Sequence, residues 1–385
     1  MVKRKRKTSI KQEKKQKLDV SNVASAQTTF SLKLLQKISE GKSDSAICSP
    51  FSLSVCLEIV YAGANGETKD EIRRLLGSDD ASDEQIHHYF ASILSECDKK
   101  NKQFHLEAAN KLCIVQDKQL LEGFKAIVEE NYQGILESFK FEERENACRN
   151  INEWVDATTH GLIKDIISTS DITPLTRIIL LNAVYFKGVW NNQFKEKFSY
   201  DKDFKVRMMH QKTKFQYSET KEFKLIRLPY KGNKLAMYVF LPKTVKELKV
   251  LFNDVDASTI MDTLCEIKQA EKVEVELEFP SMEIRNSHKL VSILRELGLK
   301  KATQNDADFS GIMASIEPFG IEDVYQNAYI KTNEQGTEAA AVTRIQLATI
   351  SCRYPQHKVF KADHPFFYFI VHETDMCILF AGTYT

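Results

Sequence analysis

The part of this sequence that most constrains the fold is a nearly uninterrupted apolar run, TRIILLNAVYFKGVW, from Thr176 to Trp190. A strand whose side chains are apolar on both faces has to be covered on both faces. The run therefore predicts a buried strand in the middle of a sheet. A second segment, Lys272–Phe279, alternates strictly between charged and apolar residues, which predicts a strand with one solvated face.

Helical and strand patterns divide the rest of the chain. Apolar residues at helical spacing mark four segments, which are 28–35, 53–61, 68–76 and 149–167. Strand patterns dominate after residue 176 and include 225–228, 235–241, 366–371 and 377–380, with a Gly232-Asn233 turn between the first two. Neither a repeat nor a linker-like stretch interrupts residues 25–385, so the sequence predicts one α+β domain.

A ten-residue stretch of mostly small side chains, EQGTEAAAVT, runs from Glu334 to Thr343 and carries nothing that would pack a core. In strand geometry its side chains would alternate between two faces. One face would carry only small residues, which are Thr337, Ala339, Ala341 and Thr343, and the other would carry Glu338, Ala340 and Val342. Such a segment can stay exposed as a loop or enter a sheet as a strand. We interpret it as a loop segment that can add to a sheet as an extra strand.

Charge is distributed unevenly along the chain, although the formal net charge is only +1. Residues 1–17 contain nine Lys or Arg and one acidic residue, whereas the rest of the chain contains 45 basic and 52 acidic residues. Residues 1–24 lack apolar periodicity, which predicts a disordered basic tail. The cluster of Lys3, Arg4, Lys5, Arg6 and Lys7 reads as a nuclear localisation signal, with a solvated tail as the simpler interpretation. Contact of the same charges with nucleic acid would be weak, salt-sensitive and non-specific.

The cysteines and the N-terminus bear on the compartment. The eight cysteines form no CxxC pair, and no His or Cys lies at zinc-ligand spacing, so we expect no metal site and no cofactor. The first residues lack the apolar core of a secretory signal, and no run is long enough to span a bilayer. These features favour an intracellular protein of the cytoplasm or nucleus, without a membrane partner. No recognised spacing of Ser, His, Asp or Cys indicates a catalytic set.

Several short motifs occur along the chain in a defined order. They are Ser49-Pro50-x-Ser52, Asn152-x-Trp154-Val155 with Thr159-x-Gly161-x-Ile163, Asn182-Ala-Val-Tyr-Phe-Lys-Gly-x-Trp190, Val206-x-Met208-Met209, Ala307-Asp-Phe-Ser-Gly-Ile312, the Glu334–Thr343 stretch and Asp363-His-Pro-Phe366. With these motifs the chain resembles the serpins from about Ala24 to Thr385. The hinge of the serpin reactive loop has the form Glu-x-Gly-Thr-Glu-Ala-Ala-Ala-x-Thr.

The resemblance implies a fold and a set of functional residues. The fold would be α+β, with a mixed central β-sheet, two further sheets, about nine helices and an exposed reactive-centre loop at about 334–359, all within residues 25–385. The sheet-opening region would comprise Ser49, Ser52, Asn182 and Trp190, together with Gln326, which stands where the family often has a histidine. The hinge would comprise Glu334, Gly336, Thr337, Ala339, Ala340, Ala341 and Thr343.

The function that the resemblance implies is suicide inhibition of a serine or cysteine endopeptidase, by a monomer that is not itself an enzyme. The target protease would form an acyl-enzyme with the loop, and insertion of the hinge into the central sheet would trap it. Counting from the hinge places the cleaved bond at Ile350–Ser351, and a cysteine protease could cut after Ser351 instead. Counting back from Phe360 favours Cys352 or Arg353 as the residue before the bond.

One alternative function stays open. The chain could be a non-inhibitory nuclear protein with the serpin fold that binds chromatin or nucleic acid through its basic tail. A nuclear import receptor is a candidate partner of that tail in either case.

Overall fold

The computed structural model describes residues 23–76, 81–98, 104–115, 120–132, 135–174, 176–202, 206–244, 255–313, 318–337 and 357–385. Its α-helices are α1 (23–39), α2 (Pro50–Tyr61), α3 (Gly66–Leu76), α4 (Asp83–Asp98), α5 (Glu122–Tyr132), α6 (Arg144–Thr158), α7 (Ala257–Gln269) and α8 (Val291–Glu296). Its strands are β1 (Ala46–Cys48), β2 (Phe104–Val115), β3 (Ile135–Phe139), β4 (Ile178–Val189), β5 (Tyr200–Lys202), β6 (Val206–Glu219), β7 (Phe223–Pro229), β8 (Leu235–Pro242), β9 (Lys272–Pro280), β10 (Glu283–Lys289), β11 (Ile321–Asn333), β12 (Gly336–Thr337), β13 (Lys358–Lys361), β14 (Phe366–His372) and β15 (Cys377–Tyr384).

The central sheet contains six strands in the order β10-β11-β12-β4-β2-β3. β11 and β4 run parallel, and β12 is a two-residue strand that lies between them at one end of the sheet. The predicted central strand is β4, in which every residue from Ile178 to Phe186 is buried. Leu180 faces the main core, whereas Leu181 and Tyr185 face a smaller core beneath α6. Both faces of β4 are thus covered, which is why its sequence is apolar on both.

The second sheet contains nine strands and follows the path β1-β15-β14-β8-β7-β6-β9-β13, with β5 paired to β6. The resemblance implies two further sheets beside the central one, whereas in the structure the remaining strands form one continuous sheet. The reason is the length of β6, whose 14 residues pair with β9 through 208–216 and with β7 through 216–219. The predicted α+β class is confirmed, and the described residues contain eight α-helices where about nine are expected.

The first helix begins earlier than the sequence indicates. The disordered tail is expected to extend to residue 24, but α1 already includes Val23 and Ala24, which are 1% and 7% exposed. Both side chains belong to the main hydrophobic core, and this packing stabilises the first turn of the helix. Residues 1–22, with the cluster Lys3, Arg4, Lys5, Arg6 and Lys7, lie outside the described residues.

Candidate functional site: the seam of the central sheet

The boundary between β4 and β11, which we call the seam, is the candidate functional site. The register of the two parallel strands runs from Ile178 opposite Ile321 to Tyr185 opposite Tyr329. Beyond Tyr185 the strands separate, and β12 occupies the space between them. We call the β12 end the upper end of the seam. The residues of the expected sheet-opening region lie at its middle and at its upper end.

At the middle of the seam, polar side chains are buried between the sheet and the start of α2. Ser49 is the N-cap of α2 and accepts the N–H of Ser52 at 3.3 Å, and Pro50 takes the first helical position. The Ser49 hydroxyl also donates to the carbonyl of Leu379 on β15 at 2.6 Å, which ties the helix start to the second sheet. Both serines are 0% exposed. The cap therefore holds two hydroxyl groups against the strands.

Two side-chain amides connect the strands at this level. Gln326 of β11 and Asn182 of β4 are register partners, and the Gln326 Nε2 donates to the Asn182 Oδ1 at 2.7 Å. Gln326 also accepts the N–H of Ser49 at 3.0 Å and donates to the Ser49 carbonyl at 2.9 Å. The Asn182 Nδ2 donates to the Ser52 hydroxyl at 2.5 Å and to the Asn110 Oδ1 of β2 at 2.7 Å. The structure thus brings Ser49, Ser52, Asn182 and Gln326 into one hydrogen-bonded cluster.

Asn110 is the member of this middle cluster that sequence analysis misses. It is 3% exposed and is the register partner of Asn182. A lone asparagine within an apolar strand is the signal that could have revealed it, because a buried amide needs hydrogen-bond partners. All five side chains are neutral hydroxyls or amides, so the cluster itself does not titrate.

At the upper end of the seam, β12 pairs with both flanking strands. Thr337 lies between Gly188 of β4 and Thr332 of β11, and it is 0% exposed. Gly336 comes so close to β4 that a Cβ would lie 2.0 Å from the carbonyl oxygen of Gly188. Only glycine fits such an approach without displacing the backbone. The start of the expected hinge therefore already forms a strand inside the sheet.

A pair of aromatic rings holds the Thr337 side chain. The Tyr230 hydroxyl lies 2.8 Å from the Thr337 hydroxyl, and the Trp190 ring stacks on Tyr230 with 4.6 Å between the centroids. The Trp190 Nε1 donates to the carbonyl of Asn333 at 3.0 Å. Burial raises the pKa of Tyr230, so its hydroxyl stays protonated. Trp190 therefore lies at the upper end of the seam, apart from the middle cluster, and Tyr230 is a residue that sequence analysis misses.

An ion pair fixes the chain just before β12. The Arg207 Nε donates to the Glu334 Oε1 at 2.6 Å, and Glu334 is 8% exposed. Burial is the largest single influence and opposes ionisation of this carboxyl, but the hydrogen bonds from Arg207, from its own backbone and from Ser199, with the charge of Arg207, together outweigh it, and the pKa of Glu334 is lowered. The Glu334 carbonyl also accepts the N–H of Phe194, and the Gln335 carbonyl accepts the N–H of Trp190, each at 2.8 Å. Arg207 is another partner that the sequence does not reveal.

The rest of the expected hinge and the expected reactive bond lie outside the described residues. These positions are Ala339, Ala340, Ala341, Thr343, Ile350 and Ser351, with the alternatives Cys352 and Arg353. Of the expected hinge, the described residues Glu334, Gly336 and Thr337 lie at the upper end of the seam.

Metal binding and membrane crossing are two other possibilities for the described part of the chain. Within these ranges, His, Cys, Asp and Glu residues do not form a group of three that could hold a metal ion. None of the helices in the same ranges is long and apolar enough to cross a membrane. The chemistry that the seam offers is hydrogen bonding and strand pairing.

Comparisons with known proteins identify the family. The chain matches the family model described as "Serpin (serine protease inhibitor)" over residues 25–385. It is 36% identical over 369 residues to an uncharacterized serpin-like protein of Thermococcus kodakarensis, and the match covers 94% of this chain and 84% of that protein. It is 31% identical over 379 residues to leukocyte elastase inhibitor A of Mus musculus, with 94% and 99% of the two chains covered. The solved structure of Serpin48 from the insect Tenebrio molitor superposes with a TM-score of 0.81 at 26% identity, over 94% of this chain and 97% of that chain. The chain therefore belongs to the serpin family.

Proposed function

We propose that this protein is a suicide inhibitor of a serine or cysteine endopeptidase. The protease would cut the segment between β12 and β13, form an acyl-enzyme with it, and be carried along as the freed segment enters the seam. Distortion of the protease would then block deacylation, because that step needs the oxyanion hole and the catalytic residues in their native geometry. The family match and a relative named as an elastase inhibitor support inhibition rather than catalysis.

The observation that carries this proposal is the register of β12. Thr337 pairs antiparallel with Gly188 of β4 and also with β11, so each further residue of the same strand would lie one position lower on both neighbours. Six positions beyond Thr337, Thr343 would lie beside Asn182, which is six positions before Gly188, and beside its register partner Gln326. The entering strand would therefore separate Gln326 from Asn182 and replace their hydrogen bond.

The alternation of side chains supports insertion at this register. Thr337 is fully buried, and its partner Tyr230 belongs to the main core. By alternation, Ala339, Ala341 and Thr343 would face the same core. Each of these side chains is small and uncharged, so none would carry an unpaired charge into the sheet.

The energy for this change would come from strand pairing. In the described sheet, β4 and β11 pair directly with each other along the seam, whereas an inserted strand would pair with both. Each backbone hydrogen bond that is gained contributes about 0.5–1.5 kcal/mol net. Fourteen residues from Thr337 to Ile350 would span about 46 Å as a strand, so cleavage at Ile350–Ser351 would move the protease by roughly that distance.

The experiment that tests the function is incubation with a panel of serine and cysteine proteases, followed by a denaturing gel. The expected result is a complex of higher mass that survives SDS, together with a released C-terminal peptide whose mass identifies the cleaved bond. We propose Ile350–Ser351 as that bond, and a peptide beginning after Cys352 or Arg353 would select the alternatives. Clean cleavage without a complex and without a gain in thermal stability would reject inhibition.

Thr337 provides the variant that separates cleavage from trapping. Thr337→Arg would place a guanidinium group in a fully buried site beside Tyr230, so the loop should be cut while the protease escapes. Thr337→Ser keeps the hydroxyl group and serves as the matched control. Equal yields of SDS-stable complex from the two variants would contradict insertion.

We also propose that the protein acts inside the cell, and that the cluster from Lys3 to Lys7 binds a nuclear import receptor. Deletion of residues 1–17 should move a fluorescent fusion out of the nucleus, and an unchanged distribution would reject the signal. The comparisons give no support to the alternative, a non-inhibitory protein that binds nucleic acid through the tail. That alternative predicts loop cleavage without a stable complex.

A further inference from the structure

A carboxyl group crosses the seam at its lower end, where β4 and β11 begin. The register of the two strands shifts between Ile321 and Asp323, so Glu322 is the extra residue of a β-bulge. Its carboxyl group accepts the N–H of Arg177 at 2.5 Å and also hydrogen-bonds to the N–H of Ile178. A side chain of β11 thus takes up two backbone donors at the start of β4. This contact connects the strands in addition to their own ladder.

The charged groups around Glu322 leave its carboxyl without an ion pair among the described residues. The Arg177 guanidinium donates to two backbone carbonyls of its own segment, at 2.8 and 2.9 Å. Asp323, the next residue of β11, pairs with Lys289 of β10 at 2.8 Å. Lys289 also lies 3.7 Å from Asp171, so this lysine serves two other carboxylates. The negative charge of Glu322 is therefore opposed mainly by backbone N–H groups and by the more distant Arg177.

Glu322 changes its charge in the neutral pH range. Burial raises the pKa of this carboxyl from the ordinary 4.5 to about 7, although the N–H donors of Arg177 and Ile178 oppose the shift, and the charge of Asp323 adds to it. A carboxyl whose pKa is raised in the closed sheet stabilises that sheet while it is protonated. This stabilisation is lost as the pH rises through about 7, because the carboxylate is better solvated when the strands part.

We propose that Glu322 is a proton-dependent clasp, a positioning residue that controls how readily β4 and β11 separate at the lower end of the seam. The proposal rests on the proposed function, since a separation at this level matters only when a strand enters. Ten positions beyond Thr337, Leu347 would lie beside Ile178 and Glu322 at the register of β12. A strand that stops at the middle cluster leaves the clasp closed, whereas insertion of the complete loop has to open it.

Hydrogen exchange tests the clasp without a protease. The measured quantity is the protection factor of segment 176–179 between pH 6 and pH 8. It is the ratio of the intrinsic to the observed exchange rate, so the pH dependence of intrinsic exchange cancels. In the wild type we expect protection to fall about three- to tenfold over this range. The upper value follows from a pKa of about 7 against 4.5, and the lower value allows for the partial exposure of the group. In Glu322→Gln, protection should not change with pH and should exceed that of the wild type even at pH 6, because the amide keeps the acceptor and cannot ionise in either the closed or the open sheet.

Two further variants complete this experiment. Glu283→Gln removes a carboxylate from β10 that accepts a hydrogen bond from Tyr329, at the opposite end of the seam from Glu322, and should keep the wild-type profile in segment 176–179. Glu322→Ala removes the acceptor and should lower protection at both pH values. A flat wild-type profile, or the same pH dependence in the wild type and in Glu322→Gln, would overturn the proposal.

Peptide uptake separates the clasp from the proposed function. A synthetic peptide with the sequence of residues 338–343 would reach the middle cluster, and one with the sequence of 338–350 would pass Glu322. Uptake of the long peptide, followed by thermal stabilisation of the protein, should be about three- to tenfold faster at pH 8 than at pH 6 in the wild type but not in Glu322→Gln. The short peptide should enter equally fast in both. If neither peptide enters, loop insertion fails as the function, and the exchange profiles alone then decide for or against the clasp.

Discussion

Replacing Gln326 with alanine would remove the side chain that connects the two strands at the middle of the seam. Gln326 is 0% exposed and makes three hydrogen bonds, two with the backbone of Ser49 and one with the side chain of Asn182. The Ser49 carbonyl would still accept the N–H of Leu53 at 3.1 Å. The Ser49 N–H and the Asn182 Oδ1 would lose the partner that Gln326 provides. The variant therefore creates two unsatisfied buried groups.

These two groups set the magnitude of the effect. Each buried polar atom that loses its partner costs about 1–3 kcal/mol. Water that enters the vacated space would recover part of this cost. We expect the free energy of unfolding to fall by about 3–5 kcal/mol, since the truncated side chain also leaves a cavity. Gln211→Ala is the matched control, because Gln211 is only partly buried and donates one bond of 3.3 Å, so its loss should cost less than about 1 kcal/mol.

Equilibrium urea unfolding of the uncleaved protein measures this difference. The chain has two tryptophans, Trp154 on α6 and Trp190 at the upper end of the seam, so their fluorescence reports on the sheet and on the helix that covers it. The midpoint should fall while the slope stays unchanged. A loss no larger than that of Gln211→Ala would refute the reasoning, because the amide would then contribute nothing to holding the strands together.

Three further substitutions test the upper end of the seam. Gly336→Ala would place a Cβ 2.0 Å from a backbone oxygen of β4, so β12 should leave the sheet. Amide exchange at Thr337 should then become faster, and an unchanged exchange rate would contradict the close approach. Arg207→Ala should also expose Thr337, but only above about pH 4.5. The pKa of Glu334 is lowered, so its ion pair with Arg207 stabilises the chain before β12 above that pH. The ion pair is lost as the pH falls through the lowered pKa. Exchange in the variant and in the wild type should therefore converge in acid. Tyr230→Phe removes one buried hydrogen bond to Thr337 and should lower the free energy of unfolding in urea by about 1–2 kcal/mol.

The strands of this fold are predictable because their periodicity depends on side-chain polarity alone. The run from Thr176 to Trp190 predicts a central strand, and the structure bounds it at Ile178 and Val189. The alternating segment that begins at Lys272 likewise becomes β9. The number of sheets is not predictable in this way, because the joining of two sheets by β6 depends on where one long strand changes partners.

The residues of the seam are predictable only where a motif carries them. Ser49, Ser52, Asn182 and Gln326 belong to ordered motifs or to positions relative to them, and the structure places them in one cluster. The motifs do not specify Asn110, Arg207, Tyr230 and Glu322, and nothing in their local sequence indicates what they touch. Their roles follow from register and from a β-bulge, which arise only when the sheet is assembled.

The chemistry of the seam differs at its three levels, and this difference limits where pH can act. The upper end relies on an ion pair whose carboxyl has a lowered pKa, so it responds only in acid. The middle cluster consists of neutral groups, whereas a histidine in place of Gln326 would titrate there. At the lower end, the pKa of Glu322 is about 7. Near neutral pH, a change in acidity would therefore act on the last step of insertion and leave the first steps unchanged. Such a change would alter how often an insertion that has begun is completed, and would not alter how often one begins.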